Sequence, residues 1–233
     1  MLKGEFAFLN HDPAGRYPYA MFVWLVLGGE RPIMVDTGPR SIEEINKGIA
    51  SLVYEPTTQR PGEDILSHLA RNDVEPSDVS HLFLTHLHYD HVSNLHLFPN
   101  ARIVVNKRGW EEANRRKATW VPGEVLFPLR EEWNDRLTLV EDEEVLSGIR
   151  TFWMGGHTPC SQAVVVQTDL GRAAVAGDVV SLYANLDLNI PVGVAESFEE
   201  CLAAMARVRR ESDIILPGHD PDVLNRFPGG VIS

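Results

Sequence analysis

The run Thr85-His86-Leu87-His88-Tyr89-Asp90-His91 gathers three imidazoles and one carboxylate into six residues. It follows directly on the apolar segment His81-Leu82-Phe83-Leu84. Imidazole and carboxylate together are the donor set of a borderline divalent cation. Alternate residues share a face where a strand runs out into a loop, so His86 and His88 can aim at one point. Asp90 and His91 lie past the bend and can reach toward a second point nearby. The spacing therefore suggests two cations lying close together.

Three later positions add to this donor set. His157 stands in Gly155-Gly156-His157-Thr158-Pro159, Asp178 in Ala176-Gly177-Asp178, and His219 in Leu216-Pro217-Gly218-His219-Asp220. Each follows a short apolar run (Thr151-Phe152-Trp153-Met154, Arg172-Ala173-Ala174-Val175-Ala176 and Ile214-Ile215-Leu216) and each has Gly or Pro beside it. Loops at strand ends present ligands in this way, because Gly allows the sharp backbone exit. One such residue alone is more often an ordinary hydrogen-bonded loop residue. Three of them behind the first motif read as further ligands.

Taken with Val35-Asp36-Thr37-Gly38, Thr85–His91, His157, Asp178, His219 and the tail Arg226-Phe227-Pro228, the chain resembles the metallo-β-lactamase superfamily. Within it the resemblance is closest to the N-acyl-homoserine-lactone lactonases. It implies an αββα sandwich of two mixed β-sheets flanked by helices. It also implies two divalent ions, with His86, His88 and His157 on one, Asp90, His91 and His219 on the other, and Asp178 bridging. Zn²⁺ suits that set, and Fe, Mn or Co can also occupy it. Asp36 resembles the family's carboxylate that orients a metal-site group without binding metal. A homodimer is implied by the resemblance alone.

The elements that must position these residues can be read along the chain. Met21–Leu27 and Pro32–Val35 form a hairpin across Gly28-Gly29. Ser41 caps a helix running toward Val53, with Glu44 completing a capping box, and Glu63–Arg71 has apolar residues at helical spacing. Strands follow at His81–Leu84 and Ala101–Val105, then a helix around Gly109–Lys117. Further strands fall at Leu137–Val140, Arg150–Met154, Gln162–Thr168 and Arg172–Ala176. Ser197 with Glu200 opens a helix through Arg209, and Ile214–Leu216 is the last strand. Two sheets packed face to face with helices outside would bury these strands on both faces. Two segments fit neither period: Ala118–Asp135, with Trp120, Pro122, Phe127 and Trp133, and Ser181–Glu196, with Tyr183, Leu186, Ile190 and Pro191. They can wall a substrate pocket, cover the sheet or form a dimer contact. Tyr17, Tyr19 and Met21 are read as ordinary packing rather than as part of that wall.

Composition bounds the rest. A length of 233 residues without linker, repeat or low-complexity segment favours one domain over residues 1–233, and 44% apolar residues can build its core. A net charge of −12 argues against a nucleic-acid surface, which needs clustered Lys and Arg. The start, Met1-Leu2-Lys3-Gly4-Glu5, has no signal-peptide character, and the apolar run Ala20–Leu27 is too short to span a bilayer. With two cysteines far apart in sequence, a reduced cytoplasmic protein without membrane contact is expected. Cys160 stands where the lactonases have Gly. It is expected to be a buried, inert thiol, since the ligand set is filled without it.

The resemblance implies a hydrolase that opens a lactone or ester ring of a small molecule, acyl-homoserine-lactone-like, and the metals would supply a bridging hydroxide for the attack. One metal would polarise the carbonyl oxygen and the other would stabilise the departing alkoxide. Asp178 would fix the metal separation, and Asp90 could also move a proton to the leaving oxygen. The lactonases use a tyrosine a few residues after the bridging aspartate. Ser181 occupies that place here, so the role is assigned to Tyr183, two residues on. A thioester hydrolase of the glyoxalase II kind has the same seven ligands but carries an extra C-terminal helical region. A mononuclear-iron oxidoreductase of the persulfide dioxygenase kind uses only the first three histidines.

Overall fold

Ile33, Met34 and Val35 are all buried, yet they face two different layers. Ile33 and Val35 pack with Phe83 and Val104, whereas Met34 packs with Leu82, Leu84, Ile103 and Val105. This period-two sorting with both faces apolar is what a strand covered on both sides requires. The second sheet repeats it: Val164, Ala173, Val175 and Leu216 join the layer of Phe83, while Ala163, Val165 and Ala174 pack outward against Ala204, Met205 and Val208. Three apolar layers between four layers of structure follow, with Phe83, Val104 and Val164 at 0% exposure in the middle one.

The structure is a computed structural model, and it describes residues 1–116 and 131–233. Strands β1 (Leu2–Lys3) and β2 (Arg16–Tyr17) form a small antiparallel ladder. The first large sheet runs β3 (Trp24–Val26), β4 (Ile33–Val35), β5 (His81–Phe83), β6 (Arg102–Asn106) and β7 (Leu137–Val140), in chain order across the sheet. The second has the order β12-β11-β10-β9-β8, built from β8 (Glu143–Leu146), β9 (Ile149–Trp153), β10 (Gln162–Thr168), β11 (Gly171–Val175) and β12 (Ile214–Leu216). Both sheets are mixed. β4 to β7 are parallel with β3 antiparallel at the edge, and β8 to β11 are antiparallel with β12 parallel to β11. The expected αββα sandwich is therefore the observed architecture.

Parallel pairing places the site. Val35 of β4 lies beside Phe83 of β5, and Val175 of β11 beside Leu216 of β12. The segments leaving these strands are Asp36-Thr37, Thr85–His91, Gly177-Asp178 and Gly218-His219, so paired carboxyl ends deliver them side by side. Helices flank the sheets where the caps predicted them. Ser41 Oγ accepts from Glu44 N at 3.2 Å at the head of helix Ile42–Ile49, and Ser197 Oγ from Glu200 N at 3.2 Å at the head of Phe198–Glu211. The second helix buries Cys201, Ala204, Met205 and Val208, one stripe of its surface.

The sequence reading needs correction at several places. Glu143–Leu146 pairs as a strand although its glutamates gave no strand signal; it is an edge strand whose first two residues are exposed. Tyr89–Val92 is a helical turn, where a loop was expected. Ser181–Glu196, expected to be irregular, contains helix Tyr183–Leu188. There Asn185 Oδ1 accepts from Leu182 N at 2.8 Å, and left-handed Asn189 (φ 54°) ends the helix. Trp133 is a core residue at 5% exposure, packed in the outer layer of the first sheet. Trp120, Pro122 and Phe127 lie outside the described residues. Among the described residues, no helix is long and apolar enough to cross a membrane.

Candidate metal centre

The exit of β5 is braced from β4. Asp36 holds a left-handed backbone (φ 61°), a conformation few non-glycine residues adopt but one that Asp tolerates. Its carboxylate accepts from Thr85 N at 2.8 Å, from Thr85 Oγ1 at 2.7 Å and from His91 Nδ1 at 2.8 Å. The neighbouring Thr37 N–H donates to the His91 carbonyl at 2.6 Å. The Asp36 turn thus fixes both ends of the histidine-rich run. The Tyr89 hydroxyl donates to Glu44 on helix Ile42–Ile49, which tethers the middle of the run to the surface.

The other three expected ligands arrive singly. His157 follows β9, and its Nδ1 donates to the Val194 carbonyl at 2.6 Å. Asp178 follows β11 across Gly177, whose left-handed backbone (φ 51°) lies against Thr85; a Cβ there would stand 2.9 Å from the Thr85 side chain. His219 follows β12 across Gly218, where a Cβ would stand 2.6 Å from Asp178 Oδ1. Glycine is required at 218 because the carboxylate passes over its bare Cα.

These residues converge into two adjoining groups. His86, His88, His157 and Asp178 offer ligand atoms that all lie within 4.8 Å of one another, and Asp90, His91 and His219 do the same. Asp178 lies between the groups. Its Oδ2 is 3.9 Å from His86 Nε2 and 3.6 Å from His157 Nε2, while its Oδ1 is 2.9 Å from His219 Nε2 and 3.3 Å from His91 Nε2. His88 turns Nδ1 inward, 3.1 Å from His157 Nε2. Asp90 Oδ2 is 3.6 Å from His91 Nε2 and 3.7 Å from His219 Nε2.

A carbonyl or carboxylate takes the outer nitrogen of three rings: Asp36 for His91, Val194 for His157, and Ala20 for His219 at 2.8 Å. Acceptors on Nδ1 put the proton there and turn a lone pair on Nε2 inward. His86 Nε2 and His91 Nε2 are buried and make no hydrogen bond, although each lies within 4 Å of Asp178. Buried polar atoms are rarely left so, and imidazole nitrogens gathered around a shared carboxylate are what a cation site requires. The donor set therefore fits divalent metal.

The two groups differ electrostatically. Burial lowers His86 well below the ordinary imidazole value, helped by His91 and His88, and burial with the nearby His88 lowers His157 to about 4. Burial also acts against the charged form of His91, but Asp90, Asp36 and Asp178 together drive it well above the ordinary value. For His219 burial is likewise outweighed, here by Asp178 and Asp90. Burial would raise Asp178, yet His219, His91 and His86 hold it well below the usual carboxylate range.

Tyr183 and Tyr19 stand in different surroundings. Tyr183 opens helix Tyr183–Leu188, its N–H donates to Asp220 Oδ2 at 2.9 Å, and the Arg226 guanidinium lies 3.5 Å over its ring. Its hydroxyl is pushed up to about 12 by burial, and the charges acting on it are Arg226, Asp220 and Asp222, none of them in the cluster. The helix starts two residues beyond Ser181, and the Tyr183 hydroxyl is buried with no hydrogen-bond partner among the described residues. Tyr19, read as ordinary packing, stands at the cluster. Its hydroxyl is 3.0 Å from His219 Nε2 and 3.4 Å from Asp90 Oδ2. Burial, then Asp90 and Asp178, raise it well above the ordinary tyrosine value. A lone tyrosine far from every motif gave no local signal of this placement. Cys160 is a core thiol at 1% exposure, with Thr158 Oγ1 at 3.2 Å from its sulfur.

The sequence and the fold also resemble those of known proteins. The family profile described as the metallo-beta-lactamase superfamily matches residues 16–219. An N-acyl homoserine lactonase from Bacillus sp is 27% identical over 210 residues, covering 86% of this chain and 81% of the relative. Metallo-beta-lactamase domain-containing protein 1 of Xenopus laevis is 32% identical over 165 residues, 68% of this chain and 61% of the relative. The solved structure of an N-acyl homoserine lactone hydrolase with the product N-hexanoyl-L-homoserine at its catalytic metal center superposes with a TM-score of 0.77. It is 23% identical and covers 98% of this chain and 93% of its own.

Proposed function

The chain belongs to the metallo-beta-lactamase superfamily, and from that premise we propose that it is a binuclear metal-dependent hydrolase that opens the ring of N-acyl-homoserine lactones. The observation that carries this reading is the position of Asp178, with one carboxylate oxygen facing His86 and His157 and the other facing His91 and His219. On this reading His86, His88 and His157 hold one ion, Asp90, His91 and His219 hold the other, and Asp178 joins them. Zn²⁺ suits the nitrogen-rich donor set, with Fe, Mn and Co as substitutes. When bound, such a pair supplies Lewis acidity for a carbonyl oxygen and a water acidified to near neutrality.

The chain's own residues do the rest. Asp36, Val194 and Ala20 fix the imidazole orientations, so no ring has to reorganise as charge develops. Asp178 sets the spacing of the two groups. Asp90 Oδ2 lies at the open edge of the second group, beside the Tyr19 hydroxyl, where it can take a proton from the attacking water and return it to the leaving oxygen. The N-acyl homoserine lactonases matched over 86% of the chain support a lactone as substrate.

The test is proton release from a panel of substrates, using protein whose metals have been counted. The panel holds short- and long-chain acyl-homoserine lactones, a simple γ-lactone, an aryl ester, a glutathione thioester and a penicillin. Two metals per chain with fast lactone opening is the expected result. Turnover of the thioester alone would replace the lactonase with a thioester hydrolase on the same centre. One iron per chain without hydrolysis would discard the hydrolase.

A further inference from the structure

The Tyr19 hydroxyl reaches the second ligand group from a segment that supplies no ligand, and several contacts hold it there. Its ring stacks on the His219 imidazole, with centroids 4.1 Å apart and planes 22° from parallel. The next residue is clipped to His219 in both directions. Ala20 N–H donates to the His219 carbonyl at 2.9 Å, and His219 Nδ1 donates to the Ala20 carbonyl at 2.8 Å. The far side of the Tyr19 ring rests on the apolar cluster of Leu2, Phe8 and Leu182.

The hydrogen bonding has a direction. The Ala20 carbonyl can only accept, so Nδ1 of His219 carries a proton, and in the neutral ring Nε2 presents a lone pair. The Tyr19 hydroxyl, 3.0 Å away, donates to Nε2 in that form. That same lone pair is the one a cation in the second group takes. The stacking and the backbone clip do not depend on Nε2, so they hold the phenol in place when Nε2 is engaged. Its hydroxyl then faces His219 and Asp90 together, at the edge of the second ligand group.

We propose that Tyr19 is a catalytic residue of this enzyme, its hydroxyl donating a hydrogen bond to the substrate carbonyl oxygen as that oxygen gains negative charge. The inference rests on the lactonase reading above. Tyr19 itself transfers no proton. The bond to the attacking oxygen forms, the ring C–O bond breaks, and the proton of the attacking water passes by way of Asp90 to the leaving ring oxygen. A fixed donor aimed at developing charge is worth about 10²-fold in kcat, and the loss falls on kcat rather than KM because the charge exists only in the transition state.

The experiment compares wild-type, Tyr19→Phe and Tyr183→Phe proteins, each with its metals counted, on N-hexanoyl-L-homoserine lactone. Tyr19→Phe is expected to lose about 10²-fold in kcat with metal content and KM little changed, and Tyr183→Phe to keep the wild-type rate. A second readout does not depend on turnover. The chain has five tyrosines. With ¹³C at their ζ carbons, the resonance missing from Tyr19→Phe should move when the ring-opened product, N-hexanoyl-L-homoserine, is added, and the one missing from Tyr183→Phe should stay. An equally fast Tyr19→Phe and an unmoved Tyr19 resonance, beside an active wild type, would overturn this inference and leave the lactonase reading standing. Loss of metal in step with rate would make Tyr19 a positioning residue for His219 and also overturn it. A wild type that opens no lactone would overturn both readings together.

Discussion

Burial holds His86 and His157 neutral, while carboxylates favour the charged forms of His91 and His219, although both pairs lie within 4 Å of the same Asp178 side chain. The first ligand group is three imidazoles whose only carboxylate is the shared one. The second has Asp90 within it, Asp178 beside it and Asp36 behind His91. On the reading proposed above, the difference teaches how one fold would build two unlike cation sites from similar residues. The first is ready to coordinate without giving up a proton but compensates little of a cation's charge. The second offers negative charge but must first release the protons that this charge has attracted.

Asp178 is the element the two groups share, so its removal should have the largest effect. Asp178→Asn deletes charge from both sides at once. It should lower metal content in both groups and reduce kcat/KM by roughly 10³-fold or more, the scale of losing metal-based charge stabilisation. Elemental analysis and lactone kinetics on the same sample would check it. A variant that loses a single metal would break the picture of a shared ligand and reassign Asp178 to one group.

Asp36 should separate the groups. It touches His91 directly and reaches the first group only through Thr85, whose Oγ1 lies 3.1 Å from His86 Nδ1. Asp36→Asn should weaken metal binding in the second group by about 10- to 100-fold, as losses behind a ligand do, and spare the first. Metal titration against a competing chelator resolves the two affinities. Equal losses in both groups would mean that Thr85 transmits the change.

The first sheet's share of the site was legible in the sequence because it is local. His86, His88, Asp90 and His91 sit in one run, and the strand before them carries its own apolar signal. The second sheet's share was legible more weakly, through Gly at 156, 177 and 218 before each ligand, and Gly218 is now explained by the Asp178 oxygen above it. The central strands were readable because each needs two apolar faces. What escaped was set by contacts distant in sequence. The strand at Glu143–Leu146 exists because β9 offers it an edge, and Tyr19 belongs to the site because Ala20 pairs with His219, 199 positions away. The surroundings of Tyr183 were hidden for the same reason: its distance from Asp178 along the chain said nothing of the helix that begins there.

The pH dependence of metal binding sharpens the electrostatic contrast, and its sign follows from the direction of each shift. His91 and His219 have raised values in the metal-free protein, so acid keeps them protonated and a cation must displace those protons. Affinity in the second group should fall as pH falls through neutrality, about tenfold per pH unit for each proton displaced. His157 titrates only near 4 and His86 well below the ordinary value, so these two residues release no proton near neutrality and the first group should depend on pH less steeply than the second. Calorimetry in buffers of different ionisation enthalpy counts the protons released. Equal release on filling both groups would erase the distinction.

The smallest expected effect concerns the first group's support. Helix Phe198–Glu211 holds the His157 loop from outside: Gly156 N donates to Glu200 Oε2 at 3.0 Å, and Ser197 N donates to the Gly156 carbonyl at 3.0 Å. Ser197 also caps that helix through its hydroxyl. Ser197→Ala removes the cap but keeps the backbone bond, at a cost of about 1 kcal/mol. For a chain of 233 residues this lowers the melting temperature by about 2–4 °C. His157 is the ligand that loop carries, so the same change should weaken the first group by no more than about fivefold and leave the second untouched, since no ligand of the second group comes from this loop. Thermal melts of metal-free protein give the stability, and the chelator titration gives the affinities. A larger loss in the second group would mean that strain at Gly156 passes through Asp178, and the two groups would then have to be treated as one.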